Sequence, residues 1–205
     1  MNQFNFLRHL TVYLKSDDIE GVGTFVELKG NTYLVTTEEV ARKTSEAAVT
    51  LHYKKKRAVY QTTLDLKLDW RFFYDSNLAY CDIKEIQKVV KTLFGENLYF
   101  SSIKEKNILP EAAYNELKDY IKTSIIGYIC DEYPIPIVAQ SKLEETEINK
   151  LPEDSVPSDT PILSGSPILV RNMDMLVGII LNVADTDNSS EHLSVFTFVD
   201  DLMRI

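Results

Sequence analysis

Asp159-Thr160-Pro161-Ile162-Leu163-Ser164-Gly165-Ser166-Pro167-Ile168-Leu169-Val170 sets a Ser-Gly-Ser-Pro turn between two apolar runs. A third apolar run, Leu176-Val177-Gly178-Ile179-Ile180, follows after a short gap. Short apolar runs bounded by Gly, Ser and Pro predict a strand, a tight exposed turn and a second strand. Taken alone, such a turn is an ordinary connection between strands. Its meaning depends on the segments that precede it and on their order.

Composition limits what those segments can build. The chain has 205 residues, enough for one ordinary domain or two small barrels in one body, and 44% of them are hydrophobic, enough for a core. The longest apolar run, residues 176–181, is far too short to span a membrane. Residues 1–8 lack a basic stretch followed by an apolar one, so the sequence reads as carrying no secretion signal. Cytoplasmic residence is therefore the expectation, and Cys81 and Cys130 are expected as buried free thiols rather than a disulfide. The 31 acidic residues outnumber the 22 basic ones. That balance argues against nucleic acid as a partner, since phosphate contacts need a basic face. The basic cluster Lys54-Lys55-Lys56-Arg57 lies between two strand-like runs and reads as a solvated hairpin turn.

From the start, residues 6–15 read as a first strand and residues 21–28 as a second. Lys29-Gly30-Asn31 is a turn, Thr32-Tyr33-Leu34-Val35-Thr36 a third strand, and residues 37–43 a short helical turn. Residues 49–53 and 58–66 form a hairpin, and residues 78–83 a closing strand. Ile86, Val89, Val90, Leu93 and Phe94 share one helical face that Gly95 can stop. A second helix starts at Pro110, with Ala113, Tyr114, Leu117 and Ile121 on its apolar side. Further strands are expected over 125–130, 135–143, 176–181 and 193–199, and Asp200 is expected to cap a short terminal helix. Residues 144–159 are acidic, carry two prolines and read as an exposed loop.

Three of these blocks resemble one family. Gly21-Val22-Gly23-Thr24-Phe25-Val26, the turn, and Leu34-Val35-Thr36-Thr37-Glu38-Glu39-Val40 resemble the pattern Gly-x-Gly-Phe-x-Val, turn, Leu-Val-Thr-Ala-Ala-His-Val of trypsin-like (chymotrypsin-fold) serine proteases. Asn77-Leu78-Ala79-Tyr80-Cys81-Asp82-Ile83 is similar to the Asp-Leu-Ala-Leu-Leu-Lys-Ile block whose aspartate orients the histidine. The Ser-Gly-Ser-Pro turn is similar to the one that carries the nucleophile, which Ser164 would then be. The resemblance implies an all-β fold with a helical elaboration, made of two six-stranded antiparallel β-barrels. Residues 1–83 would form the first barrel, 84–122 a helical connector, and 123–205 the second barrel with the terminal helix.

The same resemblance marks three departures. Glu39 stands where the family has its histidine, Asn77 where it has its aspartate, and Ile162 where a glycine helps to build the oxyanion hole. A serine needs a base with a pKa near neutrality. A solvated glutamate, with a pKa near ~4, is too weak a base at pH 7. Loss of one oxyanion donor costs roughly 2–4 kcal/mol in the transition state. His9, His52 and His192 lie in strand-like segments and read as packed or surface residues. No Asp, Cys or His spacing suggests a metal, and no cofactor is implied.

The expectation is a pseudoprotease that binds or scaffolds a protein partner, a regulatory or bacterial defence complex being one setting it would fit. The candidate contacts are Tyr99 and Tyr120, with Glu144, Glu145 and Glu147 steering a basic partner. Two alternatives stand beside it. One is a hydrolase with an unconventional site of Ser164 and Glu39. The other is an unrelated all-β binding domain in which Ser-Gly-Ser-Pro arose by chance.

Overall fold

The computed structural model describes residues 9–55, 58–73, 75–95, 100–129, 135–141, 163–171, 173–185 and 192–205. Its first half grows around one hairpin. Strand β1 (Thr11–Lys15) pairs antiparallel with β2 (Glu20–Leu28), which turns through Lys29 and Gly30 into β3 (Asn31–Thr37). Both turn residues have positive φ (49° and 80°), the geometry of a two-residue turn matched to strand twist. Helix α1 (Glu38–Lys43) follows at once, then β4 (Glu46–Lys55), β5 (Ala58–Lys67), β6 (Arg71–Phe72) and β7 (Leu78–Asp82). These strands form a sheet in the order β5-β4-β1-β2-β3-β7-β6.

The connector holds α2 (Lys84–Phe94), β8 (Ile103–Lys104), a 3-10 turn (Glu105–Asn107) and α3 (Glu111–Leu117). β8 pairs parallel with β2, making eight strands in the first sheet. Gly95 ends α2 in the left-handed region, its N–H donating to the Lys91 carbonyl, the stop expected from the sequence. Ile86 and Val90 bury the apolar face of α2, but Leu93, on the same stripe, is 59% exposed because no described neighbour covers that end of it. In α3, Tyr114 is buried while Leu117 stays largely open.

The second half has β9 (Thr123–Ile129), β10 (Ile135–Ser141), β11 (Pro167–Val170), β12 (Met175–Asp185) and β13 (His192–Phe198). They form an antiparallel sheet in the order β10-β9-β11-β12-β13. A 3-10 turn, Asp200–Arg204, ends the chain. Asp200 does not cap that turn; its carboxylate accepts the N–H of Glu111 (3.1 and 3.2 Å) and so caps α3.

Side-chain alternation along β2 and β3 explains why the two sheets pack together. Phe25 and Leu34 point into the first core with Val12, Leu51, Leu66 and Ile86. Their neighbours Val26 and Val35 point the other way, into a second cluster with Ile126, Leu176 and Ile179 of the second sheet. A third cluster, built from Ile125, Ile168, Val177 and Ile180, fills the second sheet's far side. Tyr128, fully buried, crosses between the sheets: its hydroxyl bonds Thr11 Oγ1 at 2.8 Å and its ring lies 5.7 Å from that of Tyr13.

Candidate functional site

The site begins where β3 becomes α1. Thr37 has extended dihedrals (φ −78°, ψ 156°), and its Oγ1 accepts the Val40 N–H at 3.3 Å. That makes it the N-cap, satisfying one of the free amides of the first turn. Glu38 and Glu39 sit in the first turn and Arg42 and Lys43 in the last, each acid favouring the positive end and each base the negative one. The side chains pair at i,i+4: Glu38 with Arg42 at 2.5 Å, Glu39 with Lys43 at 3.2 Å. Glu39 therefore lies along the outside of α1, 47% exposed. Asn77, just before β7, has φ 53°, a conformation asparagine tolerates better than most residues. Its carbonyl accepts the Glu38 N–H at 2.7 Å, and its side chain is exposed.

Ser164 reaches the same place from the second sheet. Residues 163–166 close a turn in which the Ser166 N–H donates to the Leu163 carbonyl at 3.1 Å. Gly165 has φ 90° and donates its N–H to the Ile180 carbonyl at 2.8 Å, while Ile180 donates back to Ser166 at 2.9 Å. The turn is pressed against β2, because the Val22 N–H donates to the Ser164 carbonyl at 2.9 Å. The Ser164 hydroxyl donates to the Leu181 carbonyl at 2.5 Å and meets Thr37 Oγ1 at 3.0 Å. One assignment of the protons satisfies every group. Val40 N–H gives to Thr37, Thr37 O–H to Ser164, and Ser164 O–H to Leu181.

No protein-family model matches the sequence, and no curated protein matches it. Solved structures do match along nearly the whole chain. The human pathogenic astrovirus serine protease is 13% identical, with 95% of this chain and 92% of that one covered and a TM-score of 0.54. The tobacco vein mottling virus protease gives 10%, 97%, 81% and 0.53. The serine endoprotease from Yersinia pestis gives 14%, 100%, 65% and 0.54. The fold is that of the trypsin-like serine proteases. At these identities the likeness speaks for fold alone.

Within this trypsin-like fold, the segments carrying Glu39, Asn77 and Ser164 all meet at Thr37 and Glu38. Among the described residues no hydrogen bond joins the three side chains to one another. Ser164 is bonded to a hydroxyl and a carbonyl, and neither is a base that can take its proton at neutral pH. Ile162, the oxyanion-equivalent position, lies outside the described residues, as do Tyr99, Glu144, Glu145 and Glu147. Tyr120 is described and 86% exposed.

The histidines sit elsewhere. His9 and His52 are buried, joined by the His9 ring Nδ1 and the His52 carbonyl at 3.1 Å, and the His52 ring lies 6.3 Å from that of Tyr128. His192 begins β13. Thr37 is the site residue that sequence reasoning missed. A threonine before Glu-Glu-Val-Ala is an N-cap signal, and it could have been read.

Among the described residues no three His, Cys, Asp or Glu side chains converge on a metal position. Cys81 is free and buried; burial first, then the charges of Asp82 and Asp69, push its thiol up to about 12. Because the folded value is raised, this contribution to stability is full below about 9, the thiol's ordinary value, and is lost as pH rises toward 12. The thiolate is the reactive form, so folded Cys81 is expected to resist alkylation. In a Cys130→Ser variant at pH 8, iodoacetamide should leave the native protein unmodified and alkylate one thiol in urea. Alkylation under native conditions would place Cys81 at the surface.

Proposed function

We propose that this chain uses the trypsin-like fold without proteolysis, as a protein-binding or scaffolding subunit acting in the cytoplasm. A regulatory or bacterial defence complex is the setting we favour. One observation carries the reading: the Ser164 hydroxyl donates to the Leu181 carbonyl, while Lys43 draws Glu39 along the outside of α1. Triad chemistry needs a base at the serine and an orienting group behind it. Here Glu39 faces solvent, and Asn77 contributes its backbone carbonyl to the Glu38 amide. No helix is long and apolar enough to cross a membrane among the described residues. The acidic balance, 31 against 22, favours a basic protein partner over nucleic acid. Tyr120, with Leu117 one turn before it, offers an exposed aromatic contact at the end of α3. Tyr99 and the acids Glu144, Glu145 and Glu147 are the further contacts we assign to the partner.

A fluorophosphonate probe tests the reading at the serine. At pH 7.5 no labelling of Ser164 is expected under conditions that label an active trypsin-like enzyme fully. Stoichiometric labelling, abolished by Ser164→Ala, would overturn it in favour of a hydrolase that uses Ser164 and Glu39.

A further inference from the structure

The first sheet ends in two strands that each have one partner among the described residues. Among the described residues β5 pairs with β4 alone, in an unbroken register from Glu46 opposite Lys67 to Lys55 opposite Ala58. β6, only Arg71–Phe72, pairs with β7 and with no other described strand. Among the described residues no ladder joins β5 to β6. The two ends instead face one cleft of about 800 Å³, also bordered by α1 and α2. Its apolar lining is Leu66, Leu68, Trp70, Phe72, Ile86 and Val89. A ten-residue edge strand without proline or bulge is what natural proteins usually avoid, because its free amides and carbonyls invite another strand.

Charge at the rim says what kind of strand fits. Arg42 is held by Glu38 and stacks over the Phe72 ring at 4.9 Å, and Lys67 lies 3.7 Å from Glu46. Asp65 and Asp69, both exposed, carry no ion pair among the described residues. Among the described residues the cleft thus offers an apolar floor, a strand edge with no partner and two carboxylates outside any ion pair. A second copy of the chain would bring the same carboxylates and a net charge of −9.

We propose that this seam docks an extended segment of a partner protein, alternating apolar residues with Lys or Arg, as an added strand on β5. Backbone pairing would supply affinity, and alternate side chains entering the cleft would supply selectivity. The proposal rests on the protein-binding reading above and names a surface for it.

Trp70, the chain's one tryptophan, lines the cleft and reports on it directly. The probe is a capped octapeptide of alternating valine and lysine, titrated at low salt while Trp70 emission is followed. A saturable change is expected. It should weaken at least tenfold in Asp65→Lys with Asp69→Lys, two exposed positions whose exchange leaves the core untouched. A peptide N-methylated at alternate residues, and a serine–lysine peptide, should give no change. The proposal is overturned by no saturable change, by an equal response to the N-methylated peptide, or by unchanged affinity in the double variant. It is also overturned if the peptide-free chain pairs with itself through β5 in sedimentation. A failure here with Ser164 unlabelled removes the seam and leaves the binding reading, whereas labelling of Ser164 removes that reading whatever the peptide does.

Discussion

Gly165→Ala is expected to destabilise the protein by about 3 kcal/mol or more. At φ 90° any residue with a Cβ is strained, and the added methyl would lie 1.9 Å from the Val22 carbonyl and 2.5 Å from Thr36 Oγ1. Neither neighbour can move cheaply. Val22 is backbone of a strand paired on both sides, and its carbonyl already accepts the Thr36 hydroxyl at 2.7 Å. The turn must therefore lift off β2 and break the bond from the Val22 N–H to the Ser164 carbonyl. For a chain of this size each kcal/mol shifts the melting temperature by roughly 2–4 °C, so a fall of about 6–12 °C is expected. A melting temperature within ~2 °C of the wild type would show that the turn does not rest on β2.

Tyr128→Ala should cost about 3–5 kcal/mol, the range for truncating a large buried ring. The ring fills the joint between the sheets beside Tyr13, and neither sheet can close on the space without shifting its strands. Tyr128→Phe separates packing from polarity. It keeps the ring and leaves the Thr11 hydroxyl without its 2.8 Å partner, at a cost of about 1–3 kcal/mol. Adding Thr11→Val should return part of that loss, because replacing both partners is cheaper than orphaning one. Urea unfolding of the three variants and the wild type checks the order. Equal stability of Tyr128→Ala and the wild type would mean that the sheets are held elsewhere.

The fold was legible where local signals agreed. The hairpin of β2 and β3 showed itself by two strand-favouring runs around the Lys29-Gly30-Asn31 turn, and α2 stopped at Gly95 as its sequence suggested. The same signals misjudged Leu93, because helical spacing gives the width of an apolar stripe without saying how much of it the neighbours cover. Asp200 was assigned to the nearest helix in sequence, yet α3, 89 residues earlier, brings its first amide to that carboxylate. Only the tertiary fold makes such a cap. At the candidate site, sequence comparison named positions but not directions. Glu39 turns toward Lys43, four residues on, a pairing that helix geometry favours and that the residue's place in a motif does not reveal.

The hairpin of β2 and β3 has a thermodynamic consequence. Phe25 and Leu34 belong to one core, and Val26 and Val35 to the other, so the two halves of the molecule share a common wall. Melting either half strips one face of that wall and exposes apolar surface that the surviving half still needs covered. Partial unfolding is thus penalised from both sides, and the halves are bound into a single cooperative unit. Amide protons along β2 and β3 are then expected to exchange only when the whole chain opens, so that this hairpin keeps the time of global unfolding.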